Sequence, residues 1–171
     1  MAAHLIRKMP APVQRWLFKQ IRFWPPYWGA GIRIDDVAAD FRYIRSSMKL
    51  RWFNRNYVGT HFGGSIYSMT DPFYMLMYMQ NLGPDFIVWD LAASVRFKKP
   101  GRGRIKAEFT LTAAEIEAAR AQALAHEKIV LRKKVLVIDE EGDTVAIVRK
   151  AIYIRKKRPA LSSTPLKDQK N

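Results

Sequence analysis

Two spacings of apolar residues, one helical and one alternating, take turns along this chain and lay out its elements. Over PVQRWLFKQIRF (12–23) and the residue after it, Val13, Trp16, Leu17, Ile21 and Trp24 recur at helical spacing. Arg15, Lys19 and Arg22 lie opposite, and Pro25-Pro26 predicts the end of that helix. Its apolar face either covers a domain or lies in a membrane surface, because Trp with Arg and Lys suits an interface. GIRIDDVAA (31–39) and FRYIRSSMKLRWF (41–53) read as an antiparallel pair of strands, the second with Phe41, Tyr43, Met48, Leu50 and Trp52 as its alternating set. Residues 64–82, GSIYSMTDPFYMLMYMQNL, are too long and apolar for one strand, and their Met, Leu and Gln predict a single buried central helix. FIVWDLAASVRF (86–97) is a near-continuous apolar strand, and KKPGRG predicts a hairpin turn into RIKAEFTLT (104–112). A helix over 113–126 follows, then strands KIVLRKKVLVID and TVAIVRKAIYIR joined by the turn Glu140-Glu141-Gly142-Asp143. About six strands with one buried helix make an α+β plan, an antiparallel sheet wrapped around a central helix.

Composition narrows the function classes. The 171 residues suit one domain, and a hydrophobic fraction of 49% is too high for a disordered chain. No internal repeat is visible. The absence of cysteine excludes disulfides, thiolate nucleophiles and Cys-ligated metals. The three histidines, His4, His61 and His126, lack the spacing that sets two ligands on one helical face, so no metal is expected. The start of the chain has no continuous apolar run with a cleavage site, and no uncharged apolar run reaches the ~18 residues of a membrane span, so a cytoplasmic protein is expected. Of the net charge of +15, twelve units sit in residues 1–24 and 149–171. Such a balance can serve nucleic acid, a membrane surface or a phosphorylated ligand. The basic end, RKKRPALSSTPLKDQKN, reads as a solvated extension rather than a nucleic-acid reading surface, which argues against nucleic acid.

The segment richest in chemistry runs from Asn56 through His61, Gly63 and Gly64 to Asp71. Two glycines at the mouth of a helix leave backbone N–H groups without partners and let a ligand approach the backbone closely, which suits an oxyanion. Asp71 followed by Pro72 can equally be a helix cap with proline at the first helical position. His61 reads alone as a packed loop histidine, Asn56 as a turn residue, and Asp90 as a carboxylate that needs some partner inside an apolar run.

The order Asn56, six residues, Gly63-Gly64, six residues, Asp71 resembles the hotdog-fold acyl-CoA thioesterases of the phenylacetate-pathway type. The longer strings PPYWGAGIR, NRNYVGTHFGGSIYSMTDPFYMLMYMQNLG and VWDLAASVRFKKPGRG resemble more closely a bacterial hotdog family catalogued as a domain of unknown function, whose members are often named tetrameric acyl-CoA thioesterases. The resemblance covers residues ~24–155. It implies a dimer with sheets joined edge to edge, or a tetramer, with active sites at the subunit interface. It also implies an acyl-CoA substrate and no cofactor. The Gly63 N–H, beside Gly64, would polarise the thioester carbonyl, Asn56 would hold the carbonyl or the attacking water, and Asp71 would be base or nucleophile. His61, Asp90 and Ser94 would support them. The sequence departs from that pattern at Phe62, where a histidine is common, and at Asp90, where a small hydroxyl is common. The implied organisation is an N-terminal amphipathic helix in 1–24, a hotdog domain in 25–155 and a basic, disordered tail in 156–171.

Between Arg96 and Lys106 stand Lys98, Lys99, Arg102 and Arg104 without an acid, a set suited to the phosphates of coenzyme A or to a solvated turn. Met69, Met75, Met77 and Met79 suit an adaptable acyl pocket or simply a core. A non-hydrolytic acyl-CoA-binding protein, a 3-hydroxyacyl thioester dehydratase and a basic membrane-associated module are the rival functions.

Overall fold

The computed structural model describes residues 9–157. Helix α1 (Ala11–Lys19) runs through a 3-10 turn (Gln20–Phe23) into α2 (Pro25–Ala30). Pro25-Pro26 therefore starts a second helix instead of only ending the first, because proline fits the first helical turn, where its missing N–H costs no bond. The predicted apolar face is also revised. Phe18 is buried, Leu17 and Ile21 are half-buried, and Val13, Trp16 and Trp24 are exposed. Phe18 packs on Phe41 at 5.6 Å, and Arg15 Nε donates to the Val37 carbonyl at 2.8 Å, so α1 is built into the domain.

Six antiparallel strands follow: β1 (Ile32–Val37), β2 (Tyr43–Lys49), β3 (Phe86–Phe97), β4 (Arg104–Thr110), β5 (Ile129–Ile138) and β6 (Thr144–Lys156). They form one sheet in the order β1-β2-β4-β5-β6-β3. The predicted β1–β2 pair is present. The predicted β3–β4 hairpin is not. β3 pairs with β6, β4 lies between β2 and β5, and the loop at 98–103 is a crossover past two intervening strands. Turn signals in KKPGRG fix where the chain leaves β3 but not which strand receives it.

The predicted central helix is two helices, α3 (Gly63–Ser68) and α4 (Phe73–Leu82). The chain turns at Met69–Pro72, where the missing proline N–H and its ring oppose a continuous helix. Phe73, Tyr74, Met77, Tyr78 and Leu82 of α4 are buried against the inward positions of the sheet, with Phe73 and Tyr74 at 4.9 Å and 5.3 Å from Phe109. Each such side chain contributes about 2 kcal/mol over its exposed state. α5 (Ala113–Ala125) starts at a capping box in which Thr112 Oγ1 accepts from the Glu115 N–H and Glu115 Oε2 accepts from the Thr112 N–H. An antiparallel sheet curled around a buried helix is the hotdog fold. Residues 1–8 and 158–171, with His4 and most of the predicted tail, lie outside the described residues.

Candidate active site

Alternation along β6 sends Val148, Lys150, Ile152 and Ile154 inward. A lysine in that row meets the α3–α4 break and β3. Lys150 Nζ donates to Asp71 Oδ1 and lies 2.9 Å from Asp90 Oδ2. The lysine side chain is wholly buried, whereas the Asp90 and Asp71 side chains are 16% and 39% exposed. Tyr67 from α3 donates to Asp71 Oδ1 at 3.4 Å, and the Lys150 ammonium sits 5.1 Å from the Tyr67 ring centroid.

The turn carrying Asp71 is pinned from both sides. Tyr27 of α2, itself buried, donates to the Asp71 carbonyl, and Ser46 of β2 donates to the Met69 carbonyl at 2.8 Å. Asp71 does not cap α4, whose first turn receives no side-chain hydrogen bond from it.

Burial pushes the Asp90 carboxyl up, and the Asp71 carboxylate pushes it the same way. Contact with Lys150 pulls it down without cancelling the rise. Neither Asp90 oxygen has an aligned hydrogen-bond donor, although the ammonium is close, so the Lys150–Asp90 contact is electrostatic more than directional. Burial pulls the Lys150 ammonium down, but its contacts with Asp71 and Asp90 outweigh that and hold it above the ordinary lysine range.

The other predicted residues fall in three places. Gly63 and Gly64 open α3 under two rings, with a Cβ at Gly63 coming 2.9 Å from Phe97 and one at Gly64 coming 2.5 Å from Phe62. Both rings are more than half exposed. Asn56 is a turn residue. Its amide donates to Thr60 Oγ1 at 3.0 Å and to the His61 carbonyl, and its oxygen accepts from the Val58 and Thr60 N–H groups. His61 is buried, with Nε2 3.1 Å from the Gly103 carbonyl, and burial pushes its pKa down.

Ser94 lies opposite Arg149 on the outer face of the sheet, away from Asp71. In the crossover loop Lys98 and Arg102 are exposed. Lys99 already holds Asp139 and Asp143, each at 2.6 Å, and Arg104 reaches Ser47 Oγ. The acids missing from the local sequence arrive from the β5–β6 turn. Among the described residues no cluster of three His, Asp or Glu could hold a metal ion, and no helix is long and apolar enough to cross a membrane.

Lys150, Tyr67, Tyr27 and Ser46 escaped the sequence reading. A signal for Lys150 was present, since an Arg-Lys pair inside a half-buried strand must send one cation inward.

Residues 14–154 match the family described as Domain of unknown function (DUF4442), and the chain belongs to that family. No curated protein matches it. Among solved structures it is similar to a probable thioesterase of unknown function from Pseudomonas aeruginosa, with a TM-score of 0.75, 20% identity, and 87% of this chain and 97% of that one covered. It is also similar to a Chlorobaculum tepidum protein of unknown function, with a TM-score of 0.68, 15% identity, and coverage of 86% and 98%. A Haemophilus influenzae thioesterase has a TM-score of 0.61 and 15% identity, with 81% and 88% covered. At these identities the likeness establishes the fold.

Proposed function

We propose that this protein hydrolyses acyl-CoA thioesters to free acid and CoA, with Asp71 as general base. The way Asp71 is held carries the reading. A buried ammonium and a phenol fix Oδ1, while the side chain stays 39% exposed. A fixed, reachable carboxylate is what activation of water beside a thioester carbon requires. The water oxygen bonds to the carbonyl carbon as Asp71 takes its proton. The resulting oxyanion is met by the Gly63 N–H, one of the first-turn amides that have no intrahelical acceptor. Collapse breaks the C–S bond, and Asp71 returns the proton to the CoA sulfur. Lys98 and Arg102 meet the CoA phosphates at the crossover loop, which follows Phe97, whose ring lies over Gly63, and packs beside His61 through the Gly101 and Gly103 carbonyls.

The working unit is a dimer joined edge to edge through β3. Along that edge Leu91 is 52% exposed, and Phe97 and Phe62 lie close by, so an unpaired strand edge and apolar surface call for a partner. In that dimer the Gly63 amide of one protomer serves Asp71 of the partner subunit. The thioesterase names of the Pseudomonas and Haemophilus neighbours support hydrolysis. A dehydratase would need an accessible histidine, and His61 is 3% exposed and hydrogen-bonded. Thiol release from a panel of acyl-CoAs tests the proposal. Turnover of one or more supports it, and saturable binding without release at any chain length contradicts it.

A second reading, contact with an anionic membrane surface, is favoured by the exposed Trp16, Phe23, Trp24 and Trp28 and by the absence of any acid from residues 9–34. Co-sedimentation with phosphatidylglycerol vesicles supports it, and recovery of all protein in the supernatant contradicts it.

A further inference from the structure

The sheet has a second face, turned away from Asp71. There the outward positions of β3, β5 and β6 hold Arg96, Arg132, Lys134, Arg149 and Arg155 and no carboxylate. The pairing register makes the arrangement definite. Ser94, Arg149 and Lys134 form one cross-strand row, and Ala92, Ala151 and Arg132 form the next. Between these rows lies a groove of about 440 Å³, with the two alanines on its floor. One row further along, Trp89 and Tyr153 stack at 4.2 Å and 3° and stand as a planar wall, with Trp89 43% exposed.

Like charges directly opposite on neighbouring strands destabilise a sheet. Lys134 stands directly opposite Arg149, and neither they nor Arg132 form an ion pair or side-chain hydrogen bond with a described residue. Elsewhere in the chain Lys99, Lys133 and Lys150 do find carboxylates. A local arrangement that opposes folding and has no internal compensation marks a place where a ligand supplies what is missing. The missing charge is negative and clustered. The small floor admits an extended chain, and the adjoining wall is aromatic.

We propose that this groove is a second binding site, for the oligophosphate chain of a nucleotide, with phosphates among Arg132, Lys134 and Arg149 and the base against Trp89 and Tyr153. Guanidinium groups suit phosphate oxygens through paired, charge-assisted hydrogen bonds, and a base can stack on an aromatic side chain. The site lies on the opposite face of the sheet from Asp71 and does not depend on thioester hydrolysis.

Titration calorimetry of the full chain at low salt, with ATP and with sodium tripolyphosphate, tests it. Neither probe carries a thioester or pantetheine, so failure here leaves the hydrolytic proposal untouched. Wild type should bind both saturably. Arg132→Ala/Arg149→Ala should weaken both by ~10-fold or more, as loss of two charge-assisted contacts implies. Trp89→Ala should weaken ATP several-fold and leave tripolyphosphate unchanged. Lys49→Ala/Arg51→Ala removes the same charge from another part of the surface and should change neither. Arg149→Gln alone, in anion-free buffer, should melt above wild type because it relieves the Lys134 repulsion, and it should lose the stabilisation that tripolyphosphate gives wild type. Absence of saturable binding, or equal loss in the two double variants, overturns the proposal. Equal affinity of Trp89→Ala and wild type for ATP overturns the nucleotide assignment.

Discussion

Lys150 and Asp71 stand 79 residues apart in sequence and form an ion pair in which the lysine side chain is wholly buried. The pair ties β6 to the break between α3 and α4, and Asp90 of β3 closes the cluster from the other side. One cation thus serves two carboxylates that approach from separate elements.

Removing that cation should be costly. Breaking a buried pair leaves carboxylates without compensation, and Lys150→Met is expected to lower stability by about 3 kcal/mol, the low end of the range for buried pairs because Asp71 is 39% exposed. Thermal unfolding measures it. A melting temperature equal to wild type would mean that the ammonium does not hold the cluster together.

Asp90 gives the cluster a pH signature. Its pKa is raised, so the folded chain holds the proton more tightly than the unfolded one. Its contribution to stability is complete below the ordinary aspartate value of about 4 and is lost as pH climbs through the raised value. Asp90→Asn should therefore gain melting temperature relative to wild type as pH rises from about 4 to 7. A difference that stays flat with pH, or shrinks, would show that Asp90 titrates normally.

The β3 edge should control assembly. Purified protein is expected to run as a dimer or a tetramer built from such dimers in light scattering, and Leu91→Asp with Phe97→Asp should shift it to monomer without loss of secondary structure, because both side chains are more than half exposed in the single chain. A wild-type monomer at physiological salt would remove the edge-to-edge interface.

Much of this was legible before the structure. Alternation in 104–112 and 129–138 marks strands because one face packs on a helix, Asp90 stands out as an acid inside an apolar run, and Asp71 stands out by its spacing from Gly63 and Gly64. What was hidden depends on distant partners. Pro72 interrupts the central helix, yet the good helix formers after it, Met75, Leu76, Met77 and Gln80, mask the break. Turn residues after Phe97 signal a reversal equally well for a hairpin and for a crossover. Lys150 stays invisible until the phase of β6 is known, because Arg149 beside it is as basic and faces the other way. Asn56 and Asp71 each had two readings. In the structure Asn56 makes the hydrogen bonds of a turn residue, and Asp71 makes none to the first turn of α4.

The most direct test is Asp71→Asn, measured as thiol release from the best acyl-CoA substrate of the wild type. The substitution keeps the shape of the side chain, an oxygen within reach of Lys150 and Tyr67, and the Asp90 counter-charge, so the variant should fold and bind substrate. Loss of the base should lower kcat by ~10²-fold or more with KM little changed. A folded variant that hydrolyses the same substrate at close to the wild-type rate would contradict the account, leaving Asp71 as a structural partner of Lys150.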